Sequence, residues 1–362
     1  MATLQADDIA DLIKITQKDL GKLRWTDLSY DLQDYVALPA ILQKEKVAYG
    51  SGFGMQWNVM TGTSGATKDV GLYEVDNVNV SDVMQTATVP WRHMTTNYAI
   101  ERREIAMNTG AAQIVDLVKI RRHDAMVDLA KHMESRFWSR PATSGNNTQM
   151  YGVPYWIVWN QSTTDGLFGR SAGQADGDFS DVGGLSPDTH TNWRNWTAKY
   201  TSVSSTDLIR KWRKAATFTN FMAPSPSPSY GGADRYGYYT NYDVIGPLEE
   251  VLESQNDNLG NDIASKDGRL LFRQVPVQWV PQLENYTGDP IYGINWSVFK
   301  PAFLSGEYLR EEGPVKASNQ HTVFQTHVDL TMNLMCYDRR KNFVLATAEP
   351  DSNTASTQNG NA

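Results

Sequence analysis

Glycines at alternate positions, Gly50, Gly52 and Gly54, resemble the start of a phosphate-cradling loop. The residues after them alternate like a strand and do not open a helix, so no helix N-terminus would face an anion there. The chain has no Gly-x-x-x-x-Gly-Lys-Ser/Thr, no Gly-x-Ser-x-Gly and no His-Glu-x-x-His. Those are the spacings that hold phosphates, expose a nucleophile or bind zinc. His321 and His327 share the polar face of one expected strand, but six residues put them ~20 Å apart, too far to ligate one ion. His123 and His132 sit nine residues apart on an expected helix and point to opposite sides of it. The single cysteine, Cys336, has no partner for a disulfide or a thiol pair and falls on an apolar strand face, where it reads as a small buried hydrophobe. No catalytic, cofactor-binding or metal-binding residue is expected, and no enzymatic activity.

Binding chemistry has more material. Trp156, Trp159, Trp193 and Trp196 lie in a stretch rich in Gly, Asn, Ser, Thr and Asp. Their rings suit stacking on a sugar, or anchoring on a core or a neighbouring chain. Glu249, Glu250 and Glu253 make an acidic helix face, and Arg339, Arg340 and Lys341 a basic turn; the two read as solvated surface or as partners across a subunit contact. With 41 Asp and Glu against 33 Lys and Arg, a formal charge of −8, a broad nucleic-acid-binding surface is disfavoured. The 40% hydrophobic and 20% charged content is that of a folding globular chain, and 362 residues suggest two or three lobes. No apolar run reaches the ~18 residues of a membrane span, and the acidic start through Asp7 and Asp8 lacks a secretory signal pattern. A soluble, unexported product in a reducing setting is expected, so the Asn-x-Ser/Thr sequons are chance.

The elements follow from periodicity. Residues 4–20 read as an amphipathic helix that Gly21 stops, and Leu28 to Leu42, broken at Pro39, as an extended arm. From Phe53 to Tyr98, Met55, Trp57 and Val59 alternate with polar residues, a turn follows at Gly62 to Gly65, and Val70, Leu72, Val78, Val80 and Val89 return, predicting a long hairpin. Two strands alone are unstable in water, so the hairpin must lie on its own chain or on another subunit. Ile100 to Trp138 predicts the longest helix, with Gly110 as a point of interruption. Residues 140–200 look loop-rich. Thr206 to Phe221 and a segment from Thr240 or Asn241 through Ser254 predict helices, with a Pro/Ser surface loop at 224–229 between them and a stop at Asn258-Leu259-Gly260. Tyr236 to Thr240, Leu270 to Phe272 and Val275 to Val280 predict strands. Phe324, Val328, Leu330, Met332, Leu334 and Cys336 alternate with polar residues, predicting a last strand that turns at 338–341 and pairs with Phe343 to Ala346, its apolar face seating the long helix. Residues 349–362 carry no large apolar group and read as a flexible tail.

Particular strings carry a resemblance. Thr240-Asn241-Tyr242, Gln255 to Gly260, Phe272-Arg273-x-Val275-Pro276-Val277, Val280-Pro281-x-Leu283, Asp289 to Trp296 and Cys336-x-Asp338-Arg339-Arg340-x-Asn342-Phe343 resemble, in that order, the major capsid proteins of tailed bacteriophages. The resemblance covers residues 200–348 well and residues 45–138 in organisation. It implies an α+β chain with the Hong Kong 97-like capsid fold: an N-terminal arm (1–45), an extended loop (46–99), a peripheral domain whose spine helix is 100–140 and whose β-hairpin is 315–348, and an axial domain (206–314). Residues 141–205 would be an insertion and 349–362 the tail. It implies a shell subunit that assembles with itself into hexamers and pentamers around double-stranded DNA in the virion head, built in the host cytoplasm. A separate scaffolding protein, a portal and decoration proteins would be its partners, DNA would be touched only non-specifically, and no membrane or cofactor is involved. An encapsulin-like compartment shares that fold, and an aromatic-rich carbohydrate-binding protein is the more distant alternative.

On this mapping Trp57, Lys68, Trp193, Trp196, Glu249, Glu253, Arg339 and Arg340 are the candidate subunit-interface residues. Some relatives join a loop lysine to an asparagine of a neighbour; Lys68 and Asn342 would be that pair here. Only some 45 residues precede the hairpin, which leaves no room for a fused scaffold and predicts maturation without loss of the arm.

Overall fold

The computed structural model describes residues 36–42, 47–50, 52–72, 82–107, 111–142, 145–146, 148–160, 165–170, 179–220, 235–254, 270–284, 286–318 and 320–350. The expected helix over 4–20, the loop at 224–229, the stop at 258–260 and most of the tail lie outside them.

One sheet is organised around a fourteen-residue strand, β13 (Val323–Cys336). Along its first half β13 pairs antiparallel with β12 (Arg310–Lys316), and along its second with β11 (Phe299–Leu304), which is joined in parallel by β1 (Val47–Tyr49). On its other edge β4 (Arg92–Glu101) pairs over ten residues. Even-numbered residues from Val328 to Cys336 are buried, as the alternation predicts, but so are Thr331, Asn333 and Met335. Alternation fails in that half because the second face is also covered. Asn333 Oδ1 accepts from the Tyr151 N–H at 3.1 Å, and its Nδ2 donates to the Pro90 carbonyl at 2.9 Å.

The long helix runs over Ala111–Phe137, 27 residues and so ~40 Å. A short helix, α2 (Arg102–Met107), precedes it, and the intervening Gly110 lies outside the described residues. We label the long helix α3 and the arm's short helix α1 (Ala37–Leu42). Leu129, Met133 and Phe137 recur at i, i+4, i+8 and are buried in one core with Met94 of β4 and Val328, Leu330 and Met332 of β13. The seat of α3 is therefore the β4/β13 sheet, which differs from the expected β13 hairpin with residues 343–346.

That hairpin does not form. β14 (Phe343–Ala346) enters a second sheet of order β5 (Gly166–Gly169), β6 (Asn195–Lys199), β14, β10 (Ile291–Asn295), β7 (Tyr236–Thr240), β9 (Val275–Trp279), β8 (Leu271–Phe272). The link is not a hairpin turn but a 3-10 turn, Arg339–Lys341, capped by Asp338 Oδ1 accepting the Arg340 N–H at 2.9 Å. Residues 141–205 are likewise no loose insertion, since β6 is an interior strand lying parallel to β14 and pairing with β5 on its other side. The helix α5 (Leu208–Thr219) packs Leu208, Trp212 and Ala215 on this sheet in a second core with Tyr238, Phe343 and Leu345. α4 (Val153–Trp156) precedes β5, and α6 (Tyr242–Ser254) follows β7. Trp138, at the end of α3, touches Tyr239 and Tyr292 of the second sheet with ring centroids 5.4 and 6.3 Å apart, so the spine joins both lobes.

The third sheet is the hairpin of β2 (Gly54–Met60) and β3 (Met84–Pro90). It is shorter than the expected 53–98. Residues 61–72 form no strand, and Trp91, whose indole donates to the Gly52 carbonyl at 3.0 Å, separates β3 from β4.

Candidate assembly surface

Antiparallel register places Met55 opposite Val89 and Trp57 opposite Ala87. These four point to one face, as the period of two requires, and all are buried. What covers them belongs to the same chain: the Trp57 ring lies 6.1 Å from Trp156 and 5.9 Å from Tyr337. The Thr88 N–H donates to the Gly183 carbonyl at 2.8 Å, and Asn192 Nδ2 donates to the Thr61 carbonyl at 3.0 Å. Gly183 and Gly184 both hold positive φ, +62° and +75°. Other residues adopt that turn only at a cost, and it brings the receiving carbonyl to the hairpin.

Beyond Thr61 the hairpin leaves its support. Leu72 is 94% and Val70 59% exposed, and Met60 and Met84 at the outer end of the ladder are exposed too. Phe53, at the root, is 97% exposed. Concentration of large exposed apolar groups on one projecting element marks a protein contact more than scattered surface hydrophobes do. Lys68 lies on this tip, exposed, beside Asp69.

The other candidate interface residues divide sharply. Trp57, Trp193 and Trp196 are buried within the chain, which corrects the reading of them as anchors on another subunit. The Trp193 indole donates to the Val182 carbonyl at 2.9 Å, and Trp196 stacks on Phe218 at 5.0 Å. Arg339 is also corrected, because it is fully buried. Its Nε donates to the Trp156 carbonyl at 2.8 Å and its Nη1 to the Trp193 carbonyl at 2.7 Å. Its Nη2 donates to the Arg170 carbonyl at 2.7 Å and to Asn195 Oδ1 at 3.1 Å. A cation among carbonyls explains why the chain turns inward at this point. Burial lowers its pKa to about 10, which leaves it charged at neutral pH. Arg340 is half-buried and pairs with Asp338 at 3.5 Å. Glu249 is exposed on α6, and the side chain of Glu253 lies outside the described residues. Asn342 cannot serve as a surface acceptor for Lys68. It is fully buried, its Oδ1 accepting from the Asn295 N–H at 2.8 Å and its Nδ2 donating to the Asp338 carbonyl at 3.2 Å.

The glycines at 50–54 lead into β2, as expected, and Cys336 is buried. Among the described residues no group of three or more His, Cys, Asp or Glu is placed to hold a metal ion, and no helix is long and apolar enough to cross a membrane.

One buried group escaped the sequence reading. Glu134 of α3 is fully buried. It accepts the N–H groups of Val36, Ala37 and Leu38 at 3.0, 2.8 and 2.7 Å and the Trp138 indole N–H at 2.9 Å. It thereby satisfies the orphan donors at the start of α1 and ties the arm to the spine. Burial raises its carboxyl pKa above the ordinary value, and these four donors offset part of the rise. No local signal marks it: one residue from Met133 and three from Phe137, it stands beside the apolar stripe, where an acid reads as solvated surface.

A spine helix crossing a sheet built on a long strand, a second sheet beside it and a projecting hairpin define the Hong Kong 97-like capsid fold. Solved capsids share it. The chain is similar to the cyanophage A-1(L) capsid, with a TM-score of 0.58 and 15% identity over 92% of this chain and 99% of that one. Similarity to the capsid of Myoviridae phage XM1 covers 96% and 99% of the two chains at a TM-score of 0.51 and 10% identity. The capsid of the native GTA particle gives 91% and 97%, with a TM-score of 0.50 and 11% identity. No protein-family profile matches the sequence, and no curated protein does.

Proposed function

We propose that this chain is the major capsid protein of a tailed bacteriophage, a structural and non-enzymatic subunit that assembles with itself into the icosahedral shell around packaged double-stranded DNA. The observation that carries this reading is the likeness to the cyanophage capsid over nearly the whole of both chains. In this reading residues 1–45 are the arm and the β2/β3 hairpin with its tip is the extended loop; α3 with the sheet of β1, β4, β11, β12 and β13 makes the peripheral domain, and the second sheet, β14 included, mainly the axial domain. Residues 141–205 are a segment that supports the loop's root. Hexamers and pentamers form from contacts at the exposed loop tip, where Lys68, Val70 and Leu72 meet a neighbouring copy. Glu249, Glu253 and Arg340 are candidates for the remaining contacts. A separate scaffolding protein, a portal and decoration proteins act with it, assembly takes place in the host cytoplasm, and DNA contact is non-specific, in keeping with the −8 charge. Electron microscopy of the purified protein tests the proposal: closed shells are expected from the full chain, and folded subunits without shells after deletion of Gly62 to Leu72. Normal shells from the deletion would defeat the role given to the tip, and a strictly monomeric full chain would defeat the capsid reading.

A further inference from the structure

An open pocket of ≈ 310 Å³ lies where β4, α3 and residues 146–150 meet. Asp128, His132 and Arg136 line it from α3, each one residue before the buried Leu129, Met133 and Phe137. A spacing of four sets the three in one row along the helix, beside the apolar row that seats it. Asn146 lines the pocket as well, and so does His93 of β4, whose Nδ1 is held 2.8 Å from Thr331 Oγ1.

Most of these groups present donors. Arg136 Nε donates to His132 Nε2 at 3.5 Å, so the proton of a neutral His132 sits on Nδ1. Desolvation and the adjacent guanidinium lower the His132 pKa, Asp128 opposing them, and the ring is neutral at about pH 8. Among the described residues no carboxylate pairs with Arg136, and neither of its Nη groups has a partner. Asn146 Oδ1 accepts the Thr148 and Gln149 N–H groups at 3.1 and 3.2 Å, which leaves Nδ2 as its unused donor. Against these donors stands one carboxylate, Asp128, which is exposed and makes no hydrogen bond to a described residue.

A guanidinium with neutral donors suits an oxyanion, and a carboxylate among them repels that anion unless it brings a proton to donate. Sulfate and phosphodiesters carry no proton at neutral pH, and a phosphate monoester has lost its last one above about pH 6. Free phosphate keeps one. We propose that the pocket binds free hydrogen phosphate: Arg136 grips its oxygens with the Nη fork, His132 Nδ1 and Asn146 Nδ2 donate to them, and Asp128 accepts the phosphate's own O–H. The same carboxylate turns away the phosphodiester backbone of a nucleic acid.

The proposal is independent of the capsid reading and is tested on the purified full-length chain. Isothermal titration calorimetry at about pH 8, where Asp128 is ionised, compares inorganic phosphate, sulfate and dimethyl phosphate at one ionic strength. Saturable binding of phosphate is expected, with sulfate and dimethyl phosphate weaker by at least about tenfold, the worth of one charge-assisted hydrogen bond. Arg136→Gln should weaken phosphate by a similar factor, about tenfold or more. Asp128→Asn is nearly isosteric at an exposed position, so it keeps the parental melting point, and it should bring sulfate to within about threefold of phosphate. Sulfate bound as well as phosphate by the parent chain, or phosphate binding that Arg136→Gln leaves unchanged, would mean an adventitious ion only and overturn the proposal. Absence of saturable phosphate binding, or selectivity that survives Asp128→Asn, would overturn it too.

Discussion

Replacing Arg339 tests how the two sheets are joined. Its guanidinium meets the carbonyls of Trp156, Trp193 and Arg170 and Asn195 Oδ1 at 2.7–3.1 Å, with no carboxylate among those partners. Arg339→Met keeps much of the volume, removes the charge and leaves those acceptors behind. Trp156 and Trp193 are buried, so water does not replace the donors their carbonyls lose, and each orphaned acceptor costs about 1–3 kcal/mol; Asn195 Oδ1 keeps the Val158 N–H at 3.1 Å. Against this stands relief from burying a cation, several kcal/mol in the cases where a whole charged network is exchanged for apolar groups. Here only the donor leaves and main-chain acceptors stay, so the loss wins: a destabilisation of about 2–4 kcal/mol is expected, more for Arg339→Ala, which adds a cavity. At ~2.1 cal/mol/K per residue over 362 residues, 3 kcal/mol lowers a cooperative melting midpoint by about 4 °C. Chemical denaturation of unassembled subunits, followed by tryptophan fluorescence, measures it. An Arg339→Met chain as stable as the parent would refute the account of Arg339 as the fastening of residues 153–200.

Glu134→Gln turns one acceptor into a donor facing N–H groups and should cost about 2 kcal/mol in the same assay. Because the folded Glu134 pKa is raised, the folded state binds the proton more tightly; its contribution is largest below the ordinary carboxyl range and declines as pH rises through the folded pKa. The variant should flatten that part of the stability–pH curve, and an unchanged slope would count against the assignment. Leu129→Asp places a charge in the core under β4 and should cost several kcal/mol; parental melting would show that α3 does not face that sheet. Leu72→Asp, at a fully exposed tip, should change subunit stability by less than about 0.5 kcal/mol yet suppress shell formation in electron micrographs. Cys336 should resist a thiol reagent in the folded chain and react on unfolding, and fast labelling of native protein would contradict its burial.

Sequence alone determined what local physics controls. Period-two alternation marked β2 at Met55, Trp57 and Val59 and β13 from Phe324 to Cys336, helical spacing marked α3 and α5, and missing ligand and nucleophile spacings argued against a catalytic centre. The ordered strings from Thr240 to Phe343 pointed to the capsid fold before any coordinates. Partnership was decided only in three dimensions. Trp57 and Trp193 look alike in sequence whether their rings face a neighbour or their own core, and burial against Trp156 and Val182 depends on where residues 141–205 fold. β14 left β13 because a buried Arg339 found carbonyls contributed by residues 156, 170 and 193, far away along the chain. Glu134 reads as a surface acid of an amphipathic helix until α1 presents three N–H groups to it. Alternation and helical spacing come from side-chain direction within one element, whereas strand partners, buried charges and covered faces are set by contacts distant in sequence, which no local pattern encodes.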